Sequence, residues 1–269
     1  MLDIAVFDNG QGSELFDVET DMWSKLPSMN RNRAYYPGVV TIQRIAGHRI
    51  YVVGGYDDAG EMLNSCEFLD VGESQWTLLE ATMTTSRCFT CAVLLDHTTA
   101  VICGGDDGRE ILASCERLDL TTHTFSPFPD MLEPRRGHAG VHYNGTIVVI
   151  AGSRLHGCTC EQFDPAAFKW TPFAPLNEGR QCFGAAVVEG KIYAAGGQDD
   201  IEVYDGSVWS TVTQLPQSHR RPWTVALGGK LVVIGDSCDE VDIFDPDTDS
   251  WSRLSKRPQY RYHNTAVSF

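Results

Sequence analysis

No stretch of the 269-residue sequence approaches the roughly 18 consecutive apolar residues of a spanning helix, so no such helix is expected. Basic residues are scarce: 21 Lys and Arg stand against 36 Asp and Glu, a net charge of −15. Phosphate contacts need Lys and Arg, so neither nucleic acid nor an anionic membrane is an expected partner, whereas a basic or mixed-charge protein is. The opening Met1-Leu2-Asp3-Ile4 lacks the basic and apolar regions of a secretion signal. Nine cysteines, an odd number without such a signal, read as free thiols in a reducing compartment, and a cytoplasmic or nuclear location is expected. Neither a phosphate-cradling loop nor a nucleophile elbow is present, and the eight histidines form no metal-binding helical pair.

In their place there is repetition. Ile50-Tyr51-Val52-Val53 ends in Gly54-Gly55. A polar loop follows, then Cys66-Glu67-Phe68-Leu69-Asp70, a short turn and Trp76. An apolar β-branched run closed by a glycine pair is a strand stopping at a bend that tolerates positive φ. The same unit returns at Gly104-Gly105, Ala151-Gly152, Gly196-Gly197 and Gly235-Asp236, trailed by Phe125, Trp170, Trp209 and Trp251. Ala151 is expected to fit if its φ is negative, and Asp236 is among the better non-glycine residues at positive φ. A further strand precedes each glycine-pair strand. Asn144-Gly145, Glu189-Gly190 and Gly228-Gly229 suit two-residue hairpins between the two. Each unit therefore has four strands, A to D, and a repeat of 39 to 50 residues built this way predicts an all-β propeller.

The two ends complement one another. Ile4-Phe7 reads as a B strand and Arg261-Phe269 as an A strand without a B strand after it. Six blades are expected, spanning 1–26 plus 261–269, 38–79, 88–127, 138–173, 182–212 and 223–254, with the first closed by the C-terminal strand.

The glycine pair, the Glu-x-aromatic-Asp strand and the trailing Trp resemble Kelch repeats over nearly the whole chain, and the arrangement of the ends resembles BTB-Kelch substrate adaptors of cullin-RING ubiquitin ligases. That resemblance implies a non-catalytic interaction domain that reads a peptide of a partner protein, with a BTB domain expected upstream. The alternatives are a cytoskeletal or scaffold Kelch protein, and an enzyme using the propeller channel. No cofactor or metal is expected.

The B–C and D–A loops are longer and more varied than the A–B and C–D turns, so a binding face is expected there. The B–C loops present Tyr56, Asp106, Ser153, Gln198 and Ser237, and the D–A segments deliver Arg33, Arg87, Arg136, Arg180, Arg220 and Arg261. The resemblance places these arginines near the channel mouth, where a guanidinium can grip a carboxylate. The residues themselves leave a second reading open, in which the repeated arginines belong to the scaffold and pair with Glu14, Glu67, Glu116, Glu161, Glu202 and Asp242. The acidic loop residues Asp57, Asp58, Glu61, Asp107 and Glu110 read as a solvated rim. Cys88-Phe89-Thr90-Cys91 has the spacing of half a zinc site, but residues three apart on a strand face opposite sides. Cys66, Cys115 and Cys160 occupy the slot of Ile201 and Val241, which makes them small core hydrophobes.

Overall fold

In the computed structural model, which describes residues 3–7, 12–17, 20–45, 47–152, 157–217, 219, 221–235, 240–254 and 265–268, the chain forms six four-stranded antiparallel sheets and no helix among the described residues. Blade 2 runs from the channel outward as β4 (Gly38–Arg44), β5 (Gly47–Val53), β6 (Cys66–Asp70) and β7 (Thr77–Leu78). Blade 3 repeats this as β8 (Cys91–Asp96), β9 (Thr99–Cys103), β10 (Cys115–Asp119) and β11 (Thr124–Phe128). Blade 4 comprises β12 (Ala139–Tyr143), β13 (Thr146–Ile150), β14 (Cys160–Asp164) and β15 (Lys169–Phe173). Blade 5 comprises β16 (Gly184–Val188) to β19 (Trp209–Gln214), and blade 6 comprises β20 (Trp223–Leu227) to β23 (Ser250–Arg253).

Blade 1 is assembled from both ends. Its β1 (Asp3–Phe7), β2 (Ser13–Asp17) and β3 (Met22–Lys25) accept β24 (Thr265–Ser268) against β1, in the register Ala5↔Val267 and Val6↔Ala266. The innermost strands β4, β8, β12, β16, β20 and β24 contact one another in turn round the ring. The C-terminal strand thus covers the edge that β1 would otherwise expose.

The hairpins follow the sequence chemistry. Asn144 and Gly145 sit at φ 48° and 80°, Glu189 and Gly190 at 50° and 75°, and Gly228 and Gly229 at 55° and 79°. Two successive left-handed residues make the turn whose twist matches its strands.

The core lies between blades rather than within them. Val40, Tyr51, Val53 and Cys66 of blade 2 pack on Ala100, Ile102 and Leu118 of blade 3. Ile147 to Ile150 are completely buried, because strand B is covered by a neighbouring blade on each face. This explains why the B strands read as unbroken apolar runs rather than alternating ones. Cys66, Cys115 and Cys160 are buried and fill the same slot as Ile201 and Val241.

Ala151 departs from expectation. Its φ is +58°, close to the +57° of Gly104, so the alanine adopts the left-handed bend instead of avoiding it. The glycine-pair turn is held by the blade on both sides, and the alanine bears a strain on the order of 1–2 kcal/mol.

Candidate functional site

Among the described residues, the segments leading into blades 2 to 5 are each pinned by a buried arginine. The Arg33 guanidinium is fully buried and donates from Nε to Glu67 Oε1 at 2.8 Å, and from Nη1 to the carbonyls of Gly54 and Ser65, each at 2.9 Å. Glu67 also accepts the backbone N–H of Asn30 at 2.7 Å. Arg87 repeats the pattern with Glu116 at 3.0 Å and the carbonyls of Gly104 and Ser114, and Arg180 repeats it with Glu202 and the carbonyls of Gly196 and Asp200. A buried carboxylate that accepts a fork of N–H groups is compensated for its lost hydration, so the arrangement suits a scaffold. Arg33, Arg87 and Arg180 therefore lie in the wall instead of on the loop face, 0%, 0% and 2% exposed.

In blade 4 this place belongs to Arg135, not Arg136. Arg135 is fully buried, bonds Glu161 through Nε at 3.0 Å and Nη2 at 2.9 Å, and bonds the Ala151 and Thr159 carbonyls through Nη1. In blade 6 it belongs to His219, whose Nε2 lies 2.8 Å from Asp242 Oδ2. The sequence carries a spacing signal that separates the neighbours. Arg33 precedes Gly54 by 21 residues and Arg87 precedes Gly104 by 17, whereas Arg135, Arg180 and His219 precede Ala151, Gly196 and Gly235 by 16. Arg136 and Arg220 each fall one residue short of that interval.

Two residues beyond each of these buried side chains the backbone turns left-handed: Tyr35 at φ 60°, Phe89 at 50°, Gly137 at 58°, Cys182 at 54° and Arg221 at 51°. The bend lets successive blades join hands. Phe89 N–H donates to the Tyr35 carbonyl at 3.0 Å, Gly137 N–H to the Phe89 carbonyl at 2.9 Å, and Cys182 N–H to the Gly137 carbonyl at 2.7 Å. This belt runs along the channel mouth over blades 2 to 5 and fixes what is displayed there.

The residue between the buried cation and the bend meets the start of a B–C loop. Ala34 bridges to Tyr56, Tyr56 bridges on to Met62, and Cys88 bridges to Asp106. Arg136 reaches back one blade, donating from Nη1 to Asp106 Oδ2 at 2.6 Å, and its side chain remains 42% exposed. Gln181 Nε2 donates to the Arg136 carbonyl at 3.2 Å, and the exposed Gln198 donates to the Gly179 carbonyl at 3.0 Å. Tyr56, Asp106, Arg136 and Gln198 thus lie along one arc over blades 2 to 5. Ser153, Ser237, Arg220 and Arg261 lie outside the described residues.

The acidic loop residues are largely occupied with their own loops. Asp57 Oδ1 accepts the N–H groups of Ala59 and Glu61, and Asp107 Oδ1 those of Arg109 and Glu110. The Glu110 and Arg109 amides hold the Asp107 carboxyl below its ordinary value.

An aromatic shelf at the same mouth was not legible as a unit in the sequence. Tyr35 stands edge-on to Tyr56 at 5.3 Å and tilts against Phe89 at 5.9 Å. Beneath them Tyr36 stacks on Phe89 at 5.3 Å and meets Trp223 of blade 6 at 5.6 Å. Burial, then the neighbouring Cys88 thiol, pushes Tyr56 up to about 12, and burial pushes Cys88 to about 12. Both are neutral at physiological pH. The mouth therefore combines an uncharged aromatic side over blades 2 and 3 with an exposed guanidinium over blade 4. This pairing suits an apolar anchor beside an acidic group.

The chain matches the KLHDC2/KLHL20/DRC7 Kelch-repeats domain over residues 8–197 and the Kelch motif over residues 179–216. It is 30% identical over 187 residues to Kelch-like protein 34 of Homo sapiens, covering 68% of this chain and 28% of that protein. It is 32% identical over 110 residues to Kelch-like protein 40 of Xenopus laevis, covering 37% of this chain and 18% of that protein. The chain thus spans under a third of the length of either relative. The solved structure of YjhT superposes with a TM-score of 0.76 at 14% identity, covering 91% of this chain and 92% of that one, which is a likeness of fold. With its repeats, its closed ring and these matches, the chain belongs to the Kelch-repeat propellers, a family of protein-interaction domains.

Proposed function

We propose that the mouth bounded by Tyr35, Tyr56, Phe89, Asp106 and Arg136 binds a short peptide segment of a partner protein, and that this capture selects substrates for a cullin-RING ubiquitin ligase. The observation that carries the peptide reading is the Arg136–Asp106 pair beside the aromatic shelf. An acidic side chain of the peptide displaces or shares the Asp106 contact, while an apolar side chain rests on Tyr35 and Tyr56. A mixed motif with basic flanks also suits a chain of net charge −15.

The ligase role rests on the resemblance to BTB-Kelch adaptors and requires a BTB domain in the full-length protein. A scaffold or cytoskeletal role takes its place if capture with the full-length protein brings down no cullin. For the pocket, peptides are selected from a displayed library on the wild-type propeller, Arg136→Ala and Tyr35→Ala. The wild type is expected to enrich Asp or Glu close to an aromatic or aliphatic residue. Arg136→Ala is expected to lose the acidic preference, and Tyr35→Ala the apolar one. Identical selections on all three proteins would rule out this site.

A further inference from the structure

Blade 3 carries three cysteines in one row across its inner strands. Cys91 lies opposite Cys103, and Cys103 lies opposite Cys115. All three are free thiols, 7%, 0% and 3% exposed. Cys115 fills a slot that other blades give to Ile or Val. Cys91 does not fit that explanation, because its register equivalents are Gly38, Ala139, Gly184 and Trp223. The repeat therefore does not call for a thiol there.

Cys91 sits on the innermost strand and lines the axial channel, a cavity of about 370 Å³, together with His138. The two side chains touch, with Cys91 Sγ 3.2 Å from His138 Nε2. His138 precedes strand A of blade 4, where blades 2, 3, 5 and 6 place Pro37, Thr90, Phe183 and Pro222. It is 5% exposed, and its Nδ1 is buried with no hydrogen-bond partner. A buried imidazole left half-satisfied against a thiol, on a channel wall, is costly to the fold and marks a reactive place. Neither residue belongs to the peptide-binding mouth. No three His, Cys, Asp or Glu among the described residues are arranged to hold a metal ion, so the cluster points to thiol chemistry and not to ligation.

We infer that Cys91 is a peroxide-reactive thiol of the channel wall that closes a reversible cross-strand disulfide with Cys103. The Cys103 thiol, and then the His138 imidazole, hold Cys91 well below the ordinary thiol range despite burial, while hydrogen bonding with Cys115 and Cys91 raises Cys103. Cys91, on the channel wall and in contact with His138, is the attacking sulfur, and Cys103, completely buried behind it, is the resolving thiol. The Cys91 sulfur attacks one oxygen of a hydroperoxide and the O–O bond breaks. The other oxygen leaves as hydroxide or alkoxide, which takes up the proton lost from the thiol, and Cys91 becomes a sulfenic acid. The Cys103 sulfur then attacks the Cys91 sulfur and water departs. The two thiols lose two electrons, which reduce the peroxide to water or to water and an alcohol, and a dithiol reductant reverses the bond. Directly opposed residues of antiparallel strands have Cα atoms about 4.5–5.5 Å apart, inside the span of about 4.4–6.8 Å that a disulfide accepts.

The test uses the whole chain and hydrogen peroxide. Unreduced peptide mapping is expected to find Cys91 joined to Cys103, with the bond lost on treatment with dithiothreitol. Cys103→Ser is expected to stop at the Cys91 sulfenic acid, which dimedone labels. His138→Gln is expected to slow iodoacetamide alkylation of Cys91 at pH 7 by about tenfold and to move its pH profile upward. If Cys103→Ser does not fold, the wild-type map still decides. Oxidation confined to the half-buried Cys158 and Cys182, or an alkylation profile indifferent to His138→Gln, would overturn the assignment.

Discussion

Arg135 and Arg136 are consecutive residues of the same type with opposite roles. Arg135 is buried and bonds Glu161 and two carbonyls, as Arg33, Arg87 and Arg180 do in their blades. Arg136 is 42% exposed and holds one carboxylate, Asp106 of the preceding blade. The contrast extends to the two regions they represent. Among the described residues, the wall is built from what blades 2 to 6 repeat, a buried arginine or, in blade 6, a histidine clasping an acid of strand C. The mouth is built from what no two blades share: Tyr35 and Tyr56, then Phe89 and Asp106, then Arg136, then Gln181 and Gln198. Repetition marks what the ring needs in order to close, and departure from it marks what the ring displays.

The largest expected effect comes from breaking the wall. Arg135→Ala leaves the buried Glu161 carboxylate without its cation and is expected to cost about 3–5 kcal/mol in urea unfolding. A loss below about 1 kcal/mol would remove the distinction between wall and mouth. Gly104→Ala comes next. It puts a Cβ at φ +57°, 2.6 Å from the Arg135 carbonyl and 2.9 Å from Met131 Cε, and is expected to cost about 2–4 kcal/mol. The reverse change at the equivalent place, Ala151→Gly, is expected to move stability by less than about 1 kcal/mol. Relief of left-handed strain is offset there by a lost buried methyl and a more flexible unfolded chain.

Blade 6 offers an intermediate case that sharpens the comparison. There the clasp is His219 on Asp242, and Asp242 also accepts from Arg253 at 2.7 Å and Gln217 at 3.1 Å. With two donors remaining, His219→Ala is expected to cost about 1–3 kcal/mol, less than Arg135→Ala, by the same unfolding measurement. Equal losses would mean that the clasp acts through packing and not through charge.

The architecture was open to reading because it is written six times. The glycine pairs, the acidic C strands and the mismatched ends specify strands, blades and closure without any knowledge of the loops. The site was harder to read for the same reason. An arginine counted once per blade looks like one set, yet the doublet Arg135-Arg136 hides which member is buried, and in blade 6 a histidine takes the place. The interval to the glycine pair, 16 residues in blades 4 to 6, separates them there, but it lengthens to 17 in blade 3 and 21 in blade 2. The shelf of Tyr35, Tyr36, Phe89 and Trp223 was out of reach for a different reason. Its members come from three blades and meet only because left-handed bends at Tyr35, Tyr36 and Phe89 turn the chain across the mouth, and no local pattern announces such a bend in an aromatic residue.

The smallest expected effect on stability is at Arg136. Its pair with Asp106 is partly solvated, and such pairs contribute about 0–1 kcal/mol, so Arg136→Ala is expected to unfold within about 1 kcal/mol of the wild type. Asp106 keeps its other contact, accepting the Gly108 N–H at 2.8 Å, so the loop remains in place. The same variant is expected to lose the acidic peptides that the wild type retains in the displayed-library selection. A side chain that matters little to the fold and much to binding is what distinguishes a displayed residue from an anchor. Arg135→Ala, tested beside it, is expected to lose stability first and binding only as a consequence. If Arg136→Ala instead unfolds as readily as Arg135→Ala, the exposed arginine is a second clasp, and the peptide contact must be sought along the aromatic side of the mouth.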